Sequence, residues 1–252
     1  MARFRSFDGT GLAFREMGDG PPVLLLHGLF SNAHVNWIRY GTADRLVGAG
    51  FRLILPDLRG HGESAAPRDP AGWPDDVLAR DAEALVAHLG LGPGLVVGGY
   101  SLGARTVVRM LARGVVRPHA AILAGMGLEG LTGGAARSAW FARMIEGRGS
   151  WPRNSPEWVA EAFMKAHVAD PDALLHLLRG QAGTPAAVLA GFDLPIAIVC
   201  GAEDRDNGSA AELAAALPRA RLIEIPGTHM SAVTRPEFGA ALLDALAGLR
   251  AS

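Results

Sequence analysis

The sequence has one cysteine, Cys200, so an internal disulfide is excluded. Cys200 sits in an apolar run, where a thiol is usually a buried structural group. A nucleophilic cysteine needs a base beside it, and none is near it in sequence. Excess charge is also missing: 24 Lys and Arg stand against 25 Asp and Glu, for a formal net charge of −1. Without a basic surplus nothing holds a phosphate backbone, so nucleic acid is not an expected partner. The acids are scattered, which argues against a disordered acidic tail. Apolar runs are short. The longest, such as residues 23–26, fall far below the ~20 residues of a membrane span. The opening Met1-Ala2-Arg3-Phe4-Arg5 alternates apolar with polar and lacks a signal-peptide core. A cytoplasmic protein is expected. Repeats, low-complexity tracts, His-Glu-x-x-His and clustered Cys/His patterns are all lacking, so no metal is expected.

What is present is hydrophobic mass, 49% of 252 residues, ample for one core and cramped for two independent domains. Residues 3–17 alternate around Asp8-Gly9, which predicts a hairpin with Asp-Gly as its turn. Short continuous apolar runs follow at 23–26, 52–55, 95–97, 120–123, 196–200 and 221–225. Their apolar residues fall on both faces, as in strands of a buried parallel sheet. Helical spacing lies between them: 75–89 between Pro74 and Gly90, 104–113, 209–217 opened by a Ser209…Glu212 capping box, and 236–249. This alternation predicts an α/β fold with right-handed crossovers. Residues 126–190 break the rhythm. They contain no strand pattern, several aromatics (Trp140, Phe141, Trp151, Trp158, Phe163) and interspersed Gly and Pro. The expected division is a core of 1–125 and 191–252 with a helical cap or lid at 126–190; a peripheral helical layer is the plainer alternative.

The chemistry centres on Gly99-Tyr100-Ser101-Leu102-Gly103, a G-x-S-x-G motif between a strand and a helix. A nucleophile there sits on a crowded turn, its flanking glycines admit a neighbouring strand and helix, and the Leu102 N–H faces a developing oxyanion. A serine hydroxyl needs a base. Of eight histidines, His229 has the right order and place, just after the last strand. Asp204, one strand earlier, is the acid chosen to orient it, with Glu203 and Asp206 as competitors; Asp206 reads as a solvated charge near a helix start. Gly28 permits an unusual backbone in the loop after the first parallel strand, making Leu29 the second oxyanion donor. His27 reads as a structural partner of that loop. Gly125-Met126-Gly127-Leu128-Glu129-Gly130 matches G-x-G-x-x-G, but the chain continues into Gly133-Gly134 without the helix and acidic residue of a dinucleotide site; a flexible lid entry is expected.

Together, His27-Gly28, Asp57-Leu58-Arg59-Gly60-His61-Gly62-Glu63-Ser64, Gly99–Gly103, Gly201-Ala202-Glu203-Asp204 and Gly227-Thr228-His229 resemble the α/β-hydrolase superfamily over nearly the whole chain. The resemblance implies a mostly parallel central sheet with an N-terminal hairpin, flanking helices and a helical lid. It makes 57–64 a structural loop, against the alternative of Asp57 and His61 as metal ligands. A serine at position 101 argues against relatives with a carboxylate nucleophile, the haloalkane dehalogenases and epoxide hydrolases. The implied activity is a carboxylesterase acting on a small-molecule ester, with no cofactor. Thioester, lactone or carbon–carbon bond hydrolysis and peracid formation stay open, as does a slow-turnover small-molecule receptor. Phe30, Tyr100, Met126 and Met230 are candidate substrate contacts, each equally suited to plain core. Oligomeric state stays open.

Overall fold

In the computed structural model of the chain, residues 1–250 are described. The strands are β1 (Ala2–Arg5), β2 (Gly11–Met17), β3 (Pro22–Leu26), β4 (Arg52–Pro56), β5 (Val96–Tyr100), β6 (Ala120–Ala124), β7 (Ile196–Gly201) and β8 (Ala220–Ile225). They form one eight-stranded sheet in the order β1-β2-β4-β3-β5-β6-β7-β8. β1 and β2 are the antiparallel hairpin, and β2 also runs antiparallel to β4. The remaining pairs are parallel. The hairpin forms as expected, but its turn is centred on Phe7-Asp8: the Gly9 N–H donates to the Ser6 carbonyl oxygen at 2.9 Å, Gly9 follows at φ 83°, and the Thr10 N–H donates to Asp8 at 3.0 Å.

The helices are α1 (Thr42–Gly48), α2 (Val77–His88), α3 (Leu102–Arg113), α4 (Leu128–Thr132), α5 (Ala135–Glu146), α6 (Pro156–His167), α7 (Pro171–Arg179), α8 (Ala186–Leu189), α9 (Ala210–Ala216), α10 (His229–Ala232) and α11 (Pro236–Arg250). Successive strand residues point to opposite faces, so a strand apolar throughout feeds two cores. Leu24, Leu26, Ile54, Val97 and Leu123 pack on one side with Leu78 and Leu85 of α2 and Val107 of α3. Val23, Leu25, Leu53, Leu55 and Ile122 pack on the other with Leu46 of α1 and Phe238, Leu242 and Leu246 of α11. Each such large apolar side chain contributes roughly 1.5–3 kcal/mol on burial. This core fixes the C-terminal ends of β3, β5, β6 and β7, from which the site is built.

Four local expectations are corrected. β8 is an edge strand with only Ile225 fully buried, while Leu222 and Ile223 are half-buried against opposite cores. α2 starts at Val77 rather than 75: Asp76 is its N-cap at a left-handed φ of 56°, and its side chain pairs with Arg109 at 2.7 Å instead of capping the helix. At α9 the Glu212 N–H donates to Ser209 Oγ at 3.1 Å, and the helix ends at Ala216. Residues 126–190 hold α4 to α8 and no strand. The glycine-rich entry at 125–130 is packed rather than loose. Gly130 N–H donates to the Asn207 carbonyl oxygen at 2.8 Å, and a Cβ on Gly127 would lie 2.3 Å from the Gly208 carbonyl oxygen. Among the described residues no helix is long and apolar enough to cross a membrane.

Candidate active site

Ser101 joins β5 to α3 with φ 53° and ψ −110°, a backbone that a residue with a Cβ rarely adopts. Its N–H is anchored to the Ala124 carbonyl oxygen of β6 at 2.8 Å. The flanking glycines make the turn possible by close approach. A Cβ on Gly99 would lie 2.2 Å from the Gly103 carbonyl carbon, and one on Gly103 would lie 2.0 Å from the Leu26 carbonyl oxygen of β3. The motif therefore reads as backbone packed on backbone, with the serine hydroxyl lifted above the sheet.

Asp204 and His229 reach that hydroxyl from the ends of the next strands. A Cβ on Gly201 would sit 2.1 Å from the Gly227 carbonyl oxygen, so these two glycines let the loops after β7 and β8 touch. The Glu203 N–H donates to Gly227 at 3.1 Å across the same junction. His229 opens α10, where Thr228 and Ser231 form a reciprocal capping box. Its Nε2 lies 3.0 Å from Ser101 Oγ and its Nδ1 lies 2.8 Å from Asp204 Oδ2. Asp204 is buried, and its Oδ1 accepts the Asp206 N–H at 3.0 Å. Burial pushes its carboxyl pKa up, but the hydrogen bond from His229, that ring's charge and the Asp206 N–H outweigh it and hold the group below the ordinary carboxylate value. Tyr100 OH donates to the His229 carbonyl oxygen and fixes the backbone of the ring.

The competitors fall away on geometry. Glu203 is exposed. Asp206 pairs with Arg137 of α5 at 2.9 Å, so it is a cross-link to the insert rather than the free capping charge expected. Cys200 is buried, and burial followed by the Asp204 charge pushes its thiol up to about 12.

The loop after β3 corrects one detail. Gly28 has no positive φ, and a Cβ there would meet its neighbours at an ordinary 3.6 Å. The left-handed residue is Phe30, at φ 59°. Its N–H donates to His61 Nε2 at 3.2 Å, and Gly28 N–H donates to Asn36 Oδ1 at 2.9 Å. Between these anchors the Leu29 N–H has no hydrogen-bond partner among the described residues. Leu102, the first residue of α3, carries one of the N–H groups that a helix start leaves free. His27 Nδ1 donates to Gly28 O at 2.8 Å, and its Nε2 accepts the Leu58 N–H at 2.9 Å. Burial draws its pKa down to about 4; burial and then the His27 charge draw that of His61 down to about 3, so both rings are neutral braces. Asp57 accepts the Ala33 and Glu63 N–H groups at 2.8 and 2.9 Å, and His61 donates from Nδ1 to the Arg59 carbonyl oxygen at 3.0 Å while its Nε2 accepts the Phe30 N–H.

Above Ser101 lies a cavity of about 750 Å³. Leu29, Phe30, Tyr100, Ser101, Leu102, Met126, His229 and Met230 all line it, and α5 and α6 supply the facing wall through Phe141 and Phe163. Phe30, Tyr100 and Met126 are nearly closed off by core packing, whereas Met230 is 54% exposed. The wall also carries polar residues that no motif points to, among them Asn36, Arg105 and Arg137. Asn36 lies on a π-helical turn, His34–Ile38, that carries no sequence signature. Arg105 was accessible by counting, because it falls one helical turn after Ser101.

Against known proteins, residues 21–170 match the family model of the α/β-hydrolase fold. A non-heme haloperoxidase of Rhodococcus erythropolis is 39% identical over 121 residues, 47% of this chain and 41% of that protein. A bifunctional epoxide hydrolase 2 of Sus scrofa is 39% identical over 90 residues, 36% of this chain and 16% of that protein. The chain thus spans less than half the length of either curated relative. Among solved structures, a thermophilic esterase from Thermogutta terrifontis superposes with a TM-score of 0.77 over 98% of both chains at 23% identity. With the family model covering residues 21–170 and the same fold recurring across that esterase, this chain belongs to the α/β-hydrolase family.

Proposed function

We propose that the protein is a serine hydrolase that cleaves carboxylic esters with small or medium apolar parts through an acyl-enzyme. The observation that carries this reading is the continuous relay Ser101–His229–Asp204, at 3.0 and 2.8 Å, facing a cavity of about 750 Å³. Ser101 Oγ attacks the carbonyl carbon while His229 Nε2 takes its proton. Asp204 holds the ring with Nδ1 protonated and stabilises the imidazolium. The Leu29 and Leu102 N–H groups receive the oxyanion, each worth on the order of 10²–10³ in rate. The protonated His229 then gives its proton to the leaving alcohol, and water activated by the same ring releases the acid. A serine nucleophile separates this reading from that suggested by the name of the epoxide hydrolase relative. The 126–190 insert, whose α5 and α6 wall the cavity, acts as the cap that sizes the substrate.

The test is steady-state hydrolysis of p-nitrophenyl esters from acetate to decanoate, with Ser101→Ala alongside. The expected result is a chain-length optimum and a loss of kcat of roughly 10⁵–10⁶ in the variant. Equal rates for the two proteins would refute the reading.

A further inference from the structure

The chemistry above makes no use of Arg105, although it stands in the wall of the same cavity. Its N–H donates to the Ser101 carbonyl oxygen at 3.0 Å, which puts it one turn, about 5.4 Å, along α3 from the nucleophile. The residue is only 7% exposed. Its Nη2 donates to the Gly133 carbonyl oxygen at 2.8 Å, while Nη1 is buried with no hydrogen-bond partner.

The neighbouring arginines are all matched with acids. Arg109 pairs with Asp76 at 2.7 Å, Arg113 with Glu83 at 2.9 Å and Arg137 with Asp206 at 2.9 Å. Among the described residues Arg105 forms no such pair. The hydrogen bond to Asp76 holds the Arg109 pKa above the ordinary arginine value, whereas burial and then the Arg109 charge draw that of Arg105 below it. An arginine keeps its proton even so. In the cavity wall Arg137 and Asp206 cancel, and Asp204, behind it, is engaged by His229. One positive charge is left without a counter-charge inside an otherwise largely apolar chamber.

The position is also built rather than incidental. The chain between α4 and α5 lies across the guanidinium with glycine at the contact. A Cβ on Gly134, at φ 94°, would fall 1.9 Å from Arg105 Nη2 and 2.8 Å from Cζ. Burying an unpaired charge is strongly unfavourable unless something completes it. A carboxylate matches the planar guanidinium fork, and the surrounding Phe30, Phe141 and Phe163 suit an apolar body.

We propose that Arg105 recognises a carboxylate carried by the substrate, so that this site takes esters whose acid or alcohol part bears a free carboxyl group. The inference rests on the ester-hydrolase reading for its chemistry but not for its binding.

The experiment compares kcat/KM for two matched pairs: mono-p-nitrophenyl glutarate against p-nitrophenyl pentanoate, and 4-acetoxybenzoate against phenyl acetate. Wild type, Arg105→Met and Arg105→Lys are assayed, with glutarate binding to the Ser101→Ala protein, with and without Arg105→Met, followed by calorimetry. The expected result is a preference for the charged member of at least one pair, collapsing about 10- to 100-fold in Arg105→Met and retained in part by Arg105→Lys. Ratios that stay the same in Arg105→Met, with glutarate binding also unchanged, would overturn the proposal. Glutarate binding that depends on Arg105 without Ser101-dependent turnover of any ester would uphold the carboxylate site and refute the esterase reading alone.

Discussion

Replacing Asp204 by asparagine changes one atom of the relay and forces a choice between two faults. Asp204 Oδ2 accepts from His229 Nδ1 at 2.8 Å while Oδ1 accepts the Asp206 N–H at 3.0 Å. An asparagine has one acceptor for these two donors. If its oxygen stays with Asp206, its NH₂ faces Nδ1, and His229 must carry its proton on Nε2, pointing at Ser101. A ring in that tautomer has no lone pair for the serine proton. If the amide turns over, two N–H groups confront each other at a buried position, at a cost of about 1–3 kcal/mol. The first arrangement avoids the buried clash, so the protein is expected to fold and lose catalysis. The expected loss in kcat on p-nitrophenyl butyrate is about 10⁴-fold, or about 5.5 kcal/mol of barrier, with a Tm within a few degrees of wild type. Glu203→Gln, at an exposed neighbour, serves as the control and is expected to retain wild-type turnover. A kcat for Asp204→Asn within tenfold of wild type, in a folded protein, would refute the orienting role.

Two further outcomes follow from the scaffold. His27 and His61 have folded pKa values drawn by burial to about 4 and about 3, below an ordinary value near 6.5. Their stabilising effect is therefore present above pH 6.5 and is lost as pH falls towards those folded values. Between pH 7 and 5 the two sites together remove about 4 kcal/mol from the unfolding free energy, at 1.36 kcal/mol per unit for each proton taken up on unfolding; urea titrations across that range check it, and a flat profile contradicts the neutral-brace assignment. Gly103→Ala puts a Cβ 2.0 Å from the Leu26 carbonyl oxygen, backbone against backbone, and should destabilise the fold by about 3 kcal/mol or more. Its Tm checks this, and a Tm equal to wild type would show that α3 does not pack as tightly on β3 as the geometry requires.

Much of this was legible because backbone sterics and burial leave residue-level marks. Gly99 and Gly103 are glycines because strand, turn and helix touch there, and the same holds for Gly201 and Gly227 at the loop junction. Strands flanked by packing on both sides had to be apolar throughout, which is why β3 to β7 stand out, whereas edge strand β8 looked similar and proved half-exposed. Other features depend on contacts distant in sequence. Phe30 takes a left-handed backbone that no local preference favours, held by His61 and by its ring against Phe141 at 5.4 Å. Arg105, Arg109 and Arg113 recur every four residues and so share one face of α3. The fold treats them differently: Asp76 and Glu83 pair the last two, while the insert closes over the first. Within α3 only its place one turn after Ser101 sets Arg105 apart, and its lack of an acidic partner has no mark in the sequence.

The most direct test of the central claim is active-site labelling with diethyl p-nitrophenyl phosphate, followed by peptide mapping. Nucleophilic catalysis by Ser101 predicts one p-nitrophenolate released per chain, one diethylphosphoryl group on Ser101, and neither in Ser101→Ala. Labelling of another residue, or equal labelling of both proteins, would contradict the assignment of Ser101 as nucleophile.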